Sequence, residues 1–182
     1  MNSFRMIVGR AAIAAATTTG ALALVGAPAT AAPNDAAVAR QATAAYHDST
    51  VITRDSSWGR FADKNGITCI DSPAGGMGIH FVNGARVGDA AEQAAEPEAV
   101  IYEPTSDGGL RLVALEYVVT KAAWEAAGNS GAPRLFGQDF ELVLAGNRYG
   151  LPDFYELHAW IWKNNPSGLN ADWNPNVTCD NA

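Results

Sequence analysis

The sequence predicts an α+β fold: a mainly antiparallel sheet of about five or six strands with an N-terminal covering helix and two short helices. Short apolar or alternating segments recur along the chain, and turns rich in Gly, Pro, Asn and Asp separate them. Most connections between these segments are short, which favours antiparallel pairing because parallel strands need long crossovers. Residues 35–52 instead carry apolar side chains at helical spacing, which predicts the covering helix.

Ahead of these elements, residues 1–31 are predicted to be a cleaved secretory signal peptide. Arg5 and Arg10 flank the start of a short apolar run, and Ala29 and Ala31 form the small-x-small pattern of a cleavage site. The alternative is a membrane anchor, but the run is too short and too rich in Ala and Thr to span a bilayer comfortably. We therefore expect a secreted or extracellular protein with a single globular domain, residues 32–182, ordered over about 35–180.

The first part of this domain is predicted to hold the covering helix, a connector, a loop and one strand. Asp35 can cap the helix, whose apolar face is weak, so the helix must pack on a larger element. Residues 55–66 are polar and are interpreted as a connector, and residues 71–78 (DSPAGGMG) as a Gly- and Pro-rich loop. Residues 79–83 (IHFVN) then form a short strand.

A hairpin is predicted in the middle of the domain. Asp89 and Glu92 resemble a capping box, which predicts a helical turn before it. The strand 99–103 and the strand 110–120 are joined by TSDGG, a turn of the Asp-Gly type. Because the second of these strands is apolar on both faces, we expect it to be central and covered on both sides.

The last part of the domain is predicted to contain a short helix at 121–127, a strand at 140–144 and a strand that starts at Phe154. In this last strand, alternate side chains face opposite sides. One side suits a core and carries Tyr155, Leu157, Ala159 and Ile161. The other side has two indoles flanking a histidine and a carboxylate, which predicts the lining of a cavity; its residues are Phe154, Glu156, His158, Trp160 and Trp162.

The two cysteines, Cys69 and Cys179, both lie beyond the signal peptide. In an oxidising compartment we expect them to form a disulfide. The alternative is a pair of metal-binding or redox thiols, which the wide spacing and the absence of a CxxC motif disfavour. Closing so long a loop would stabilise the fold by roughly 4–5 kcal/mol at most.

The charge of the chain restricts its partners. The formal net charge is −7, and removal of residues 1–31 takes away two arginines and no acid. An acidic domain without basic clusters argues against nucleic acid as a partner and against anionic membrane surfaces after signal cleavage. A small molecule is the partner class that fits the predicted cavity.

His80, Glu116 and His158 are the candidate metal ligands. The chain has three histidines, and two of them, His80 and His158, lie in the middle of predicted strands among apolar neighbours. Glu116 lies in the long central strand, and a buried carboxylate must be paired, protonated or bound to a cation. Two imidazoles and a carboxylate suit one divalent transition metal such as zinc, iron, copper or nickel.

Five further residues are candidates for contacts around these ligands or to a bound molecule. Glu103 ends the strand before the hairpin and would face Glu116, so it could serve as an outer contact or a base. His47, on the covering helix, could dock over the sheet and add a ligand or a proton carrier. The remaining candidates come from the last strand: Glu156, Trp160 and Trp162.

Two other interpretations remain open from the sequence. The aromatic-lined pocket could bind a carbohydrate or another small molecule without any metal, with the histidine and glutamate as polar contacts. Alternatively, the protein is structural, and His158 hydrogen-bonds Glu116 or Glu156 inside a buried polar network. Nucleophilic catalysis is poorly supported because the chain has no Gly-x-Ser-x-Gly motif.

Several blocks of the sequence are specific in combination: MGIHFVN at 77–83, PEAVIYEP at 97–104, LVALEYVV at 112–119 and an ending that runs from YELHAWIWKNNPSG to DWNPNVTC at 155–179. In these blocks the chain resembles an uncharacterised family of exported bacterial proteins. The resemblance covers most of residues 42–179. It implies export and a shared fold, and it implies no particular activity.

Overall fold

The computed structural model describes residues 34–182, and the signal-peptide prediction lies outside the described residues. The described chain has the α+β fold that the sequence predicts. Its helices are α1 (Asp35–Thr43), α2 (Thr50–Thr53), α3 (Gly84–Val87) and α4 (Lys121–Ala126), with a 3-10 turn at Ala44–His47. Its strands are β1 (Gly59–Arg60), β2 (Cys69–Ser72), β3 (Gly75–Val82), β4 (Ala99–Pro104), β5 (Leu110–Thr120), β6 (Arg134–Leu135), β7 (Gln138–Asp139), β8 (Glu141–Val143) and β9 (Phe154–Ala159).

Seven of the strands form one antiparallel sheet. Its order is β1-β3-β4-β5-β9-β8, and β2 pairs with β3 outside this path. Strand β5 lies between β4 and β9 and is buried over most of its length, which confirms the central position predicted for it. The TSDGG turn joins β4 and β5 as predicted, and Asp107 accepts a hydrogen bond from the backbone of Gly109 there.

The predicted loop at residues 71–78 is largely wrong, because its glycines belong to strand β3. Here the glycines allow backbones to approach closely. A Cβ atom at Gly78, where φ is +103°, would lie 2.7 Å from the carbonyl oxygen of Tyr102. A Cβ atom at Gly76 would lie 2.9 Å from the carbonyl oxygen of Val177. Glycine at these positions therefore lets the C-terminal tail and strand β4 pack against β3.

The predicted N-terminal helix is present but interrupted after Thr43. Asn34, not Asp35, caps its start by accepting a hydrogen bond from the Ala37 amide, and Asp35 instead accepts one from the Phe136 amide. Asp48 has extended backbone angles and accepts hydrogen bonds from the amide and hydroxyl of Thr50. This local side-chain bonding starts a new turn and separates α2 from the first helix.

The helical turn predicted from Asp89 and Glu92 is wrong. The turn forms earlier, as α3, and Asn83 caps it by accepting hydrogen bonds from the Ala85 and Arg86 amides. Ala90 lies in the left-handed region with φ at +55°, which an L-residue in a helix does not adopt. The chain after α3 therefore runs without a helix to β4.

The sheet has two differently covered faces. The first, which we call the helix face, packs under α1 and the following turn with Val100, Tyr102, Leu115, Tyr117 and Leu157 in its core. The second, the site face, is covered in part by the tail after β9, where Trp160 and Val177 cluster with Ile101 and Ala114. A disulfide joins Cys69 to Cys179, as predicted, and ties the end of this tail to β2.

Membrane insertion by a helix finds no support in the described part of the chain. Within residues 34–182 every helix is too short or too polar to cross a bilayer.

Candidate metal centre

Strand register brings the three candidate ligands to the site face. Glu116 pairs with His158 on one side and with Ala99 on the other. His80 pairs with Ile101, two residues along β4 from Ala99. Since residues paired across strands share a face, and so do residues two apart, all three ligands project together. Ala99 has only a methyl group, which leaves room for His80 and Glu116 to meet diagonally above it.

The three side chains form a compact group. One nitrogen from each imidazole and one carboxylate oxygen all lie within 4.8 Å of one another. The Nε2 atom of His80 is 3.5 Å from Glu116 Oε2, and the Nε2 atom of His158 is 3.9 Å from Glu116 Oε1. Ligand atoms of a tetrahedral zinc site, with bonds of about 2.0–2.1 Å, are about 3.3 Å apart. Small side-chain adjustments would therefore close the group around one ion.

The imidazoles in this group lack hydrogen-bond partners. Both ring nitrogens of His158 and the Nδ1 atom of His80 are buried without any partner among residues 34–182. His158 itself is only 1% exposed. The hydrogen bond from His158 to Glu116 or Glu156 that a structural network would require is not formed. Each buried polar atom left unpaired costs about 1–3 kcal/mol, so the group is costly without a ligand.

The protonation states favour metal binding over salt bridges. Burial lowers the pKa of His80 to about 4, although the Gly78 backbone opposes the shift. Burial, and after it the neighbouring His80, lowers the pKa of His158 to about 3. Both imidazoles are therefore neutral at pH 7, and a neutral imidazole offers a lone pair to a metal.

Glu116 is a buried acid that shares its proton. Burial, and then the charge of Glu156, raises the pKa of Glu116 well above its usual value. Burial raises the pKa of Glu156 to about 7, an effect that Asp172 increases and the hydrogen bond from Glu116 opposes. A cation beside Glu116 would displace this proton, because metal ligands must be deprotonated.

Asp172 is a contact that sequence reasoning missed. Its Oδ1 atom lies 3.9 Å from Nδ1 of His158, on the side of the ring away from Glu116. Metal-bound histidines generally donate their second nitrogen to a carboxylate, a carbonyl or water. Asp172 lies in the turn-rich tail, where strand alternation gives no signal, so only the three-dimensional path of the tail identifies it.

A cavity of about 260 Å³ lies directly beside His80 and Glu116. Glu156 also lines this cavity. The rest of its wall is almost entirely apolar, contributed by Phe61, Ile70, Val82, Val87, Val118, Tyr149, Leu151 and Phe154. The aromatic lining expected from Trp160 and Trp162 is therefore supplied by other residues.

A second cavity, of about 410 Å³, lies on the other side of Glu156. Its wall is polar and acidic, and Glu141 and Asp172 belong to it together with Asp139. Glu156 lines both cavities.

The two tryptophans take separate positions because strand β9 ends at Ala159. Trp160 is stacked on His158, with ring centroids 6.2 Å apart, and its indole nitrogen donates to the carbonyl of Ala171. The alternation expected beyond this point is wrong, and Trp162 packs with the helix-face core. Its indole nitrogen donates to the hydroxyl of Thr43.

His47 and Glu103 have other partners. The ring of His47 lies edge-on against Trp162, with centroids 4.4 Å apart, and so faces the helix side of the sheet. The carboxylate of Glu103 accepts hydrogen bonds of 2.7 and 2.8 Å from Lys163. Glu103 pairs with Arg111 across the hairpin, not with Glu116, because Glu116 lies at the other end of the paired strands, opposite Ala99. The structure does not bring either residue to the three ligands.

Comparisons of the chain with protein-family models, with curated proteins and with solved structures give no match. The function of the site therefore has to be argued from its own residues. The family resemblance seen in the sequence blocks stays a prediction.

Proposed function

We propose that this protein is an exported domain that binds one divalent transition metal through His80, Glu116 and His158. The observation that carries the proposal is the buried group itself, in which ligand atoms from all three residues lie within 4.8 Å of one another. The two neutral imidazoles have three buried nitrogens that lack partners, which costs free energy when no ligand is bound. A bound ion would remove part of this cost.

The donor set favours zinc, iron, copper or nickel over calcium or magnesium. Imidazole nitrogen suits these transition metals, whereas calcium and magnesium prefer shells made of oxygen. Three protein ligands leave a coordination position open, which is the arrangement of catalytic zinc sites and not of closed structural ones. His80 and Glu116 both line the apolar cavity, so the open position would face it.

The acidic cavity supplies an access route for a cation. Glu156 and Asp172 lie in its wall, and Asp172 is 3.9 Å from His158. Acidic clefts with low-dielectric walls raise the local concentration of cations. An ion that enters here would pass carboxylates before it reaches the imidazoles.

The disulfide supports the exported part of the proposal. Disulfides such as Cys69–Cys179 persist mainly in oxidising compartments. The N-terminal sequence of protein collected from the culture medium tests this directly. A first residue at or near position 32 is expected, and retention of residues 1–31 on cell-associated protein would contradict export by cleavage.

Metal content of untagged protein tests the site. After dialysis against zinc, cobalt or nickel and then metal-free buffer, we expect about one bound equivalent, measured by mass spectrometry of the metals. His80→Ala and His158→Ala should each lower the affinity at least about 100-fold, because a missing ligand costs more than a missing outer contact, which typically costs 10–100-fold.

His47→Ala is the matched control, because it removes the third histidine of the chain from the opposite face of the sheet. It should leave metal content unchanged. Loss of metal in this control, or unchanged affinity in both site variants, would refute the assignment of the ligands.

A carbohydrate site built on the two tryptophans finds less support. Trp160 is buried between His158 and the tail, and Trp162 is half-buried against His47. Neither ring lines the apolar cavity, and stacking on a sugar needs an open ring face.

A further inference from the structure

We infer that the apolar cavity beside the metal centre binds a small, uncharged, largely apolar molecule whose single oxygen-bearing head faces His80 and Glu116. The inference rests on the proposed metal site, because the head would occupy the open coordination position. It goes further by assigning the class of ligand that the cavity accepts.

The polar groups of the cavity, His80, Glu116 and Glu156, come from neighbouring positions of the sheet, since Glu156 pairs with Val118, two residues beyond Glu116. Val82 follows His80 by two residues on the same face of β3, and Val118 follows Glu116 in the same way on β5. Thr120, the next residue on this face of β5, pairs with Phe154. The wall therefore changes from ligand atoms to apolar side chains along the strands, which suits a molecule with one polar end.

Away from His80, Glu116 and Glu156, the wall offers a ligand no further polar partner. Phe61, Ile70, Val87 and Leu151 contribute only apolar side chains. The hydroxyl group of Tyr149 is directed to the sulfur of Met77, at 3.6 Å, and burial raises the pKa of this phenol, so it stays neutral. A second polar group on the ligand would thus be buried without a hydrogen bond, which costs roughly 1–3 kcal/mol in proteins.

Charge balance favours an uncharged head. Among the described residues no lysine or arginine lines this cavity, so an acidic head would find no partner of opposite charge in its wall. A carboxylate or an ammonium head would leave a net charge buried among apolar side chains, which is strongly unfavourable. An alcohol or a carbonyl oxygen would add no net charge.

The size of the cavity sets the scale of the ligand. Its volume of about 260 Å³ is below the range of about 300–1,000 Å³ that is usual for drug-sized ligands. A compound with one ring, such as benzyl alcohol, matches this scale and carries a single oxygen at one end.

The test uses zinc-loaded full-length mature protein titrated calorimetrically with benzyl alcohol, benzoate and benzylamine, three compounds of one shape and different charge. We expect benzyl alcohol to bind at least about tenfold more tightly than either charged compound, a difference of about 1.4 kcal/mol. In cobalt-loaded protein it should also change the visible spectrum, because its oxygen would enter the coordination shell.

Leu151→Trp fills the cavity from a wall that holds no metal ligand, and Leu144→Trp is its matched control because Leu144 is 62% exposed. Leu151→Trp should abolish alcohol binding and leave zinc content unchanged, while Leu144→Trp should change neither. Val87→Trp, from the opposite wall, provides a second filling variant should the first fail to fold.

The outcomes separate this inference from the metal site. A zinc-loaded protein that ignores benzyl alcohol, or binds the charged compounds equally well, overturns only the inference. Alcohol binding that survives both filling variants, or is equally tight without metal, overturns it as well. A protein that takes up no metal overturns the proposed function and the assignment of the head group together.

Discussion

The helix face and the site face of the sheet differ in whether their buried polar atoms have hydrogen-bond partners. Strand β5 contributes to both, with Leu115 and Tyr117 in the helix-face core and Glu116 at the candidate metal centre. On the helix face, Tyr102 donates to the carbonyl of Tyr46 and Tyr117 to that of Ala94, both at 2.8 Å. On the site face, the buried imidazoles have unpaired nitrogens.

This difference indicates that the two faces serve different purposes. Within residues 34–182, four buried side-chain polar atoms lack a partner, and three of them belong to His80 and His158. Native proteins leave few such atoms unpaired, and each one needs an explanation. The helix face stabilises the fold, whereas the site face retains an unfavourable arrangement that a metal ligand would relieve.

The largest expected effect comes from removing the disulfide, whose cysteines pack with the helix-face core and anchor the tail that covers part of the site face. The double variant Cys69→Ser and Cys179→Ser opens a loop with a sequence separation of 110 residues. The free energy of unfolding should fall by roughly 4–5 kcal/mol at most, as measured by urea denaturation. Hydrogen exchange should rise most in the tail that includes Asn174 and Val177, because the bridge anchors it to β2.

Reduction of the wild-type protein, followed by alkylation, is the control for the double variant. It should reproduce the loss of stability and the loosened tail. If α1 exchanges as much faster as the tail does, the disulfide acts mainly through the helix-face core in which it packs, and its role as the anchor of the tail is wrong.

The second prediction concerns the fourth unpaired atom, Glu92 Oε2, whose residue lies near Glu98, just before β4. Burial, and then the charge of Glu92, raises the pKa of Glu98 to about 9, and Glu98 accepts a hydrogen bond from the Val118 amide. A protonated Glu98 therefore provides the donor for Glu92. Because this pKa is raised above its unfolded value, the stability it contributes is complete at low pH and is lost as the pH rises toward 9.

Glu98→Gln should make the free energy of unfolding depend less on pH. An amide side chain can accept a hydrogen bond from the Val118 backbone and donate one to Glu92 at any pH. Urea denaturation at about pH 7 and about pH 9 avoids protonation of His80 and His158, whose lowered pKa values act only in acid. Asp89 and Glu92 are unchanged in the variant, so some decline should persist. A slope as steep as that of the wild type would mean that Glu98 is ionised in the fold.

The third prediction compares one substitution on the helix face with one on the site face, both in metal-free protein. Tyr117→Phe removes a satisfied hydrogen bond to Ala94 and should lower the free energy of unfolding by about 0.5–1.5 kcal/mol. His158→Phe removes two unpaired nitrogens and keeps a ring against Trp160, so it should be neutral or stabilising. If His158→Phe costs as much as Tyr117→Phe, the imidazole belongs to a structural network and the comparison fails.

Much of the fold follows from local patterns in the sequence. The apolar run at 110–120 predicts a central strand with the observed bounds, and the Asp-Gly turn predicts the hairpin before it. The predicted helix end and the loop at 71–78 were wrong for a different reason. Gly76 and Gly78 lie in a strand where distant segments approach the backbone closely, and local propensity does not encode such contacts.

The candidate site also contains some residues that local patterns predict and others that they do not. His80, Glu116 and His158 could be predicted because each lies within a regular strand, where alternation fixes the face. Asp172 and Trp162 could not, since both follow the end of β9 and their positions depend on the path of the tail. Glu103 illustrates a third limit, because the register of the hairpin places it opposite Arg111 and places Glu116 opposite Ala99.

The smallest expected effect tests the acidic cavity as the route by which a cation reaches the site face. Glu141 lines this cavity and is exposed, so Glu141→Gln should slow zinc association by about two- to fivefold at low ionic strength through weaker steering. The dissociation rate should not change, because Glu141 is not a ligand.

Glu96→Gln, which removes an exposed acid elsewhere, is the matched control and should leave both rates unchanged. Added salt should reduce the difference between the two variants, since it screens exposed charges. Stopped-flow mixing with a zinc indicator measures the rates, and equal association rates for both variants at low salt would place the access route through the apolar cavity instead.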